Sequence, residues 1–185
     1  LSQCDIIIGT KNKSALPKLI MQYLSNGERI VDIEEHKTGD SIEKMTNTSV
    51  EGKTRAYIKI QDGCDMNCSY CIIPKARGHI RSKCLEDITR EATELSSSGH
   101  KEIILTGINL CCYGRDLKNG TRLVDAVEAV CAIKGDFRVR LGSMEPEMIS
   151  DEDILRLSRL EKLCPQFHLS LQSGCDKTLK LMNRH

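Results

Sequence analysis

The chain has 185 residues, enough for one ordinary domain or for one domain and part of another. Lys and Arg total 27 against 26 Asp and Glu, so the net charge of +1 neither requires nor excludes a nucleic-acid partner. No apolar run approaches the ~20 residues that cross a bilayer, and the N-terminus lacks a signal-peptide pattern, so a cytoplasmic protein with no membrane partner is the expectation.

In chain order, the pattern predicts a strand around Asp5–Gly9 and a helix from about Ser14 to Asn26, with Gly27 where a C-cap glycine belongs. Glu28 to Thr54 is polar and weakly periodic and reads as a connector, with an edge strand near Arg29–Ile33. A regular series begins with strand Ala56–Gln61, followed by a helix whose inner face is Leu85, Ile88, Ala92 and Leu95 and which stops at Ser98–Gly99. Next come strand Glu102–Thr106 and a helix turning Leu123, Val127 and Val130 inward. Strand Phe137–Leu141 leads to a helix opened by Ser150, with Asp153 three residues on in a capping-box pattern. Strand Phe167–Leu171 and a helix starting near Asp176 end the chain.

Four successive strand–helix units predict an α/β fold with a parallel sheet, curled into part of a (β/α) barrel. The uninterrupted apolar run Ile103–Leu105 fits a strand covered on both faces. Four units do not close an eightfold barrel, and the last helix ends at Arg184–His185 without a cap, so a piece of a longer protein is expected.

Ten cysteines would suggest a disulfide framework in a secreted miniprotein, but nothing else here fits one, and adjacent Cys111 and Cys112 suit it poorly. Cys4, Cys131, Cys164 and Cys175 read as small buried hydrophobes. Cys64, Cys68 and Cys71 do not. They form a C-x3-C-x2-C run directly after the first strand of the series, in a loop at the carboxyl-end face where such folds place active sites. Structural zinc sites usually carry two close pairs giving four ligands. Three soft thiolates suit an iron–sulfur cubane with one iron left open; zinc, with His79 or Cys84 as fourth ligand, is the alternative.

A C-x3-C-x2-C run with Tyr70 just before its third cysteine, opening a βα series, resembles the radical S-adenosylmethionine superfamily. The resemblance implies a [4Fe-4S] cluster on Cys64, Cys68 and Cys71 whose open iron chelates S-adenosyl-L-methionine. Reduction then gives a 5′-deoxyadenosyl radical, with the protein orienting the reactants and excluding water. Further stretches resemble the methylthiotransferase branch: Cys71–Gly78 (CIIPKARG) with Ile80–Ser82, Leu105–Asn109 with Tyr113-Gly114, Arg140–Pro146, Leu169–Gly174 and Leu181–Arg184. Among its subfamilies they look most like the tRNA enzymes acting on N6-threonylcarbamoyladenosine. Sister branches act on isopentenyladenosine in tRNA or on a ribosomal-protein aspartate.

That resemblance implies tRNA as substrate and an electron donor such as flavodoxin or ferredoxin. It assigns residues 1–49 to the tail of an N-terminal methylthiotransferase domain and its connector, and residues 50–185 to the first part of the barrel. Cys4 falls outside that domain's cysteine motif. A chain without the rest of the barrel, the auxiliary-cluster cysteines and a C-terminal RNA-binding domain is expected to cleave S-adenosylmethionine poorly.

For the cofactor, the resemblance points to Tyr70 against the adenine, to Ile73 as a further binding residue, and to Thr106 and Gly107 near the methionine amino group. Glu145 would accept from the ribose hydroxyls, and Gln172, with Ser173, would line the same cavity. Each has a plainer role as turn, core or solvated residue. Lys75, Arg77, His79, Arg81 and Lys83 put cations on alternate residues, and an extended loop would aim them all one way. Lys75, Arg77 and Arg81 are therefore candidate tRNA-phosphate contacts, with a solvated basic loop as the alternative. With aromatics at 3% and no Trp, a base-stacking platform is disfavoured, which counts against the rival class of a zinc-stabilised nucleic-acid module. Cys111 and Cys112 read as bystanders.

Overall fold

The computed structural model describes residues 3–43 and 52–184. Its N-terminal part is a βαβ unit. Strand β1 (Ile6–Ile8) leads through a 3-10 turn at Lys13–Ala15 into helix α1 (Leu16–Asn26), and β2 (Ile30–Asp32) returns parallel to β1. Gly27 takes the left-handed φ of 67° and donates its N–H to the Tyr23 carbonyl, closing α1 where expected. The connector therefore begins with a real strand, while the expected domain boundary at residues 49 and 50 lies outside the described residues.

The second part is built on three parallel strands. Strand β6 (Glu102–Thr106) lies between β3 (Arg55–Lys59) and β7 (Arg138–Leu141), with Ala56 opposite Ile103 and Ile103 opposite Val139. Ile103 and Leu105 are fully buried and Ile104 nearly so, the signature of a central strand covered on both faces. After β7 the chain steps through Gly142 to β8 (Ser143–Met144), which pairs parallel with β9 (His168–Leu169). The expected strand Phe167–Leu171 is thus only two residues long: β8 flanks it on one side, and the chain leaves at Gln172, whose φ is 61°.

Helices cover this sheet. Helix α3 (Leu85–Ser97) buries Ile88, Ala92 and Leu95, and α4 (Leu123–Cys131) buries Val124, Val127 and Val130, with Leu123 only partly covered. Helix α5 (Asp151–Leu157) is capped by Ser150, whose hydroxyl accepts the Asp153 N–H at 3.1 Å. Helix α6 (Asp176–Leu181) comes last. Ile58, Ile60, Leu110, Tyr113 and Met144 complete one core beneath the carboxyl ends of the strands.

The segment after β3 departs from a simple strand. Ladder pairing stops at Lys59, and Gln61–Asp62 (β4) instead pairs antiparallel with Arg81–Ser82 (β5). Between them, Ile73–Arg77 forms a short helix, α2. The row of cations from Lys75 to Lys83 is therefore not extended. Arg81 and Lys83 are buried, and only Lys75 and His79 are exposed.

Candidate active site at the carboxyl ends of the strands

Gln61 anchors the cysteine loop. It is fully buried, and its Nε2 donates to the carbonyls of Asp62 at 3.0 Å and Gly63 at 2.7 Å. Its Oε1 accepts the Asn109 N–H at 2.8 Å, tying the loop after β3 to the loop after β6. Gly63 follows with φ 72°, and a Cβ there would lie 2.0 Å from the His79 carbonyl oxygen, so only glycine lets β4 and β5 approach this closely. Cys64 N–H then donates to the Gly78 carbonyl at 3.0 Å.

Asp62 secures the same loop electrostatically. It is 4% exposed; one carboxylate oxygen accepts the Gly63 N–H at 2.9 Å, and the other meets Lys59 Nζ at 2.7 Å with Arg77 and Arg81 each at 3.6 Å. Burial acts to raise this carboxyl, but the Lys59 hydrogen bond and the nearby cations outweigh it and hold it below its usual range. Arg81 also donates to the carbonyls of Arg77 and His79. Its charge faces a buried carboxylate, which corrects the picture of an outward basic row. Lys83, for its part, pairs with buried Glu91.

The three thiols lie on one loop. Cys64 is buried, Cys68 and Cys71 are partly exposed, and none of the ten cysteines forms a disulfide. Cys64 Sγ accepts the Met66 N–H at 3.4 Å, a bond typical of thiolate ligands, while burial pushes the unligated thiol up. Among the described residues, no three His, Cys, Asp or Glu side chains converge as they would around a single ion. A cubane takes each thiolate at a different iron, so three soft donors on one loop fit it without that convergence. Elsewhere, Cys164 is buried and Cys131 partly so, but Cys4 and Cys175 are exposed, correcting the expectation of a core role for those two.

The residues expected around the cofactor fall into two groups. Glu145, after β8, is close to the cysteines: its Oε1 lies 3.2 Å from Arg184 Nη1, which in turn lies 3.8 Å from Cys68 Sγ. Oε2 of Glu145 is buried with no hydrogen-bond partner among the described residues. Thr106 and Gly107 brace the scaffold at the end of β6. The Thr106 hydroxyl donates to the Ile58 carbonyl at 3.3 Å, and Gly107 packs against Gln61. Tyr70 is 55% exposed, Ile73 opens α2 half-buried, and Gln172 is exposed in the left-handed turn after β9.

The chain's last turn touches the cysteine loop through residues that the sequence pattern marks without assigning a role. Ser69 donates its N–H to the Met182 carbonyl at 3.0 Å and its hydroxyl to the Leu181 carbonyl at 3.1 Å. Asn183, at φ 55°, donates its amide to the Asn67 carbonyl at 2.8 Å. The signal was available in Asn183, a residue that tolerates the left-handed turn closing a helix.

A model of the radical SAM superfamily matches residues 58–185. The chain belongs to the radical SAM superfamily. Its match starts inside β3 and takes in the cysteine loop and every strand after it. The chain is 40% identical over 183 residues to the threonylcarbamoyladenosine tRNA methylthiotransferase of Thermotoga maritima, covering 97% of this chain and 40% of that protein. It is 37% identical over 181 residues to the tRNA-2-methylthio-N(6)-dimethylallyladenosine synthase of Caldicellulosiruptor saccharolyticus, covering 98% of this chain and 38% of that protein. For the synthase of the same name from Clostridium botulinum the identity is 38% over 181 residues, with 98% and 40% covered. This radical SAM chain thus spans about 40% of the length of the curated relatives it matches. No helix among its described residues is long and apolar enough to cross a membrane.

Proposed function

We propose that this chain is the cluster-binding part of a radical SAM enzyme that adds a methylthio group to C2 of N6-threonylcarbamoyladenosine 37 in tRNA. One observation carries the reading: Cys64, Cys68 and Cys71 sit on a braced loop at the carboxyl end of β3, in a superfamily chain 40% identical to a threonylcarbamoyladenosine tRNA methylthiotransferase. Cys64, Cys68 and Cys71 would hold a [4Fe-4S] cluster as thiolates. Reductive cleavage of S-adenosyl-L-methionine to a 5′-deoxyadenosyl radical is the chemistry such a cluster supplies when bound.

The chain's own residues bind and orient. Buried Glu145 Oε2, without a partner among the described residues, accepts hydrogen bonds from a ribose. Tyr70 offers an exposed ring face for the adenine and Ile73 an apolar contact beside it, while exposed Lys75 on α2 holds a tRNA phosphate. Gln172, exposed past β9, adds a polar group to the same cofactor site. A one-electron donor of the flavodoxin or ferredoxin class supplies reducing equivalents.

The test is nucleoside analysis of tRNA from a strain lacking the full-length gene. Loss of methylthio-threonylcarbamoyladenosine is expected. Loss of the methylthio group from dimethylallyladenosine instead would move the substrate to that of the second group of relatives, and unchanged tRNA would point to a protein substrate. Anaerobic iron and sulfide reconstitution checks the cofactor, and stoichiometric zinc that resists replacement would overturn it.

A further inference from the structure

The last turn of the chain closes over the cysteine loop and brings a buried cation to one of its thiols. Asn183, left-handed at φ 55°, sends the chain back so that Arg184 N–H reaches the Leu179 carbonyl at 2.9 Å. Arg184 is 4% exposed. Its Nη1 lies 3.8 Å from Cys68 Sγ and 3.2 Å from Glu145 Oε1, and its Nη2 lies 3.5 Å from the Ser170 carbonyl. Glu145 is itself fixed from behind: its N–H donates to Cys111 Sγ at 3.4 Å, and that thiol faces the Glu145 carbonyl at 3.6 Å. Cys64 receives a neutral backbone N–H, whereas Cys68 receives a charged guanidinium.

We propose that Arg184 is a positioning residue that raises the reduction potential of the cluster, with Glu145 as the counter-charge that offsets it. The inference rests on the proposed cluster at Cys64, Cys68 and Cys71. One-electron reduction of a thiolate-bound cluster, by dithionite in the assay, adds one negative charge and breaks no bond. A cation held out of water beside a ligand sulfur stabilises that charge, and an N–H directed at the sulfur withdraws density from it; both raise the potential. A carboxylate at the same depth acts in the opposite sense. The pair should therefore be read by opposite signs, whereas a general loosening of the loop would move both variants the same way.

The experiment is a dithionite titration of the full-length, anaerobically reconstituted protein, followed by electron paramagnetic resonance of the reduced cluster. Iron content and visible absorption are recorded for each variant before reduction. Arg184→Met is expected to lower the midpoint potential, Arg184→Lys to restore most of the loss, and Glu145→Gln to raise it above wild type. Midpoints that stay unchanged, or that shift in one direction for both Arg184→Met and Glu145→Gln, overturn the proposal. If Arg184→Met takes up no iron, Glu145→Gln decides alone, and a lowered or unchanged midpoint overturns it. A wild-type protein that forms no [4Fe-4S] absorption overturns the cluster reading itself, a result distinct from a loaded cluster with unmoved potentials.

Discussion

Gln61 and Gly107 stand so close that a Cβ on Gly107 would lie 2.7 Å from Gln61 Oε1 and 2.9 Å from its Cβ. Gln61 cannot yield, because both ends of its amide hold backbone groups of the two loops that frame the site. The glycine after β6 is therefore set by its neighbour, not by a turn.

Gly107→Ala should destabilise the protein by about 1–3 kcal/mol, the range for forcing a methyl into a packed site. Calorimetry or chemical denaturation reads that cost. A double-mutant cycle with Gln61→Gly, which removes both the 2.7 Å and the 2.9 Å contact, separates the clash from other effects: Gly107→Ala should cost much less once that side chain is gone. Additive costs would show that Gly107 is needed for another reason.

Gly63→Ala meets a harder obstacle. Its Cβ would sit 2.0 Å from the His79 carbonyl oxygen, backbone against backbone, at a φ of 72° that penalises any side chain. A loss of about 3 kcal/mol or more is expected, with iron uptake falling in parallel because Cys64 is the next residue. Melting temperature and iron per chain after reconstitution check this. A variant that keeps wild-type iron content would show that the loop tolerates a different path.

Much of this layout is legible in the sequence. The alternation in β3, the continuous apolar run in β6, the helix faces of α3 and α4, Gly27 and the Ser150 cap all rest on local patterning and capping chemistry, which the chain carries residue by residue. The cysteine loop was legible from spacing. What was not legible depends on contacts distant in sequence. Arg81 looked like an exposed cation because nothing local shows that Asp62 lies beside it, across the β4–β5 pairing. Leu181–Arg184 looked like a helix end because its partners, Asn67 to Ser69, lie more than a hundred residues away.

Glu102 gives the fold an acid-sensitive joint. This carboxylate is 2% exposed and is met by Arg55 at 3.0 Å, Arg138 at 2.6 Å and Arg140 at 3.1 Å. The Arg140 hydrogen bond is the main cause holding it below the ordinary glutamate range, with Arg138 adding to it against burial. Because the folded carboxyl binds its proton less readily than the unfolded one, its contribution is present above the ordinary glutamate pKa. That contribution disappears as pH falls through the folded value. Glu102→Gln should cost about 2 kcal/mol at neutral pH, less than a fully buried pair because Arg55 and Arg138 are largely exposed. It should also flatten the fall in stability between about pH 5 and 3. Urea midpoints measured across that range for both proteins test it, and parallel curves would rule Glu102 out as the cause.

Cysteines near the site but outside the loop should behave differently from the three within it. Cys112 is fully buried, and burial pushes its thiol up to about 12, so it stays protonated at neutral pH and makes a poor metal ligand. Cys111 is engaged with the backbone of Glu145 on both its N–H and its carbonyl. Cys112→Ala should therefore cost about 1 kcal/mol of stability through lost packing while leaving iron per chain at the wild-type value. Cys111→Ala should also keep its iron, but it releases Glu145 from behind. Cys64→Ala, Cys68→Ala and Cys71→Ala should each remove most of the iron and the associated visible absorption. Iron quantification on the five variants, reconstituted side by side, decides the matter. Loss of iron in Cys112→Ala equal to that in Cys64→Ala would make Cys112 a ligand and redraw the site.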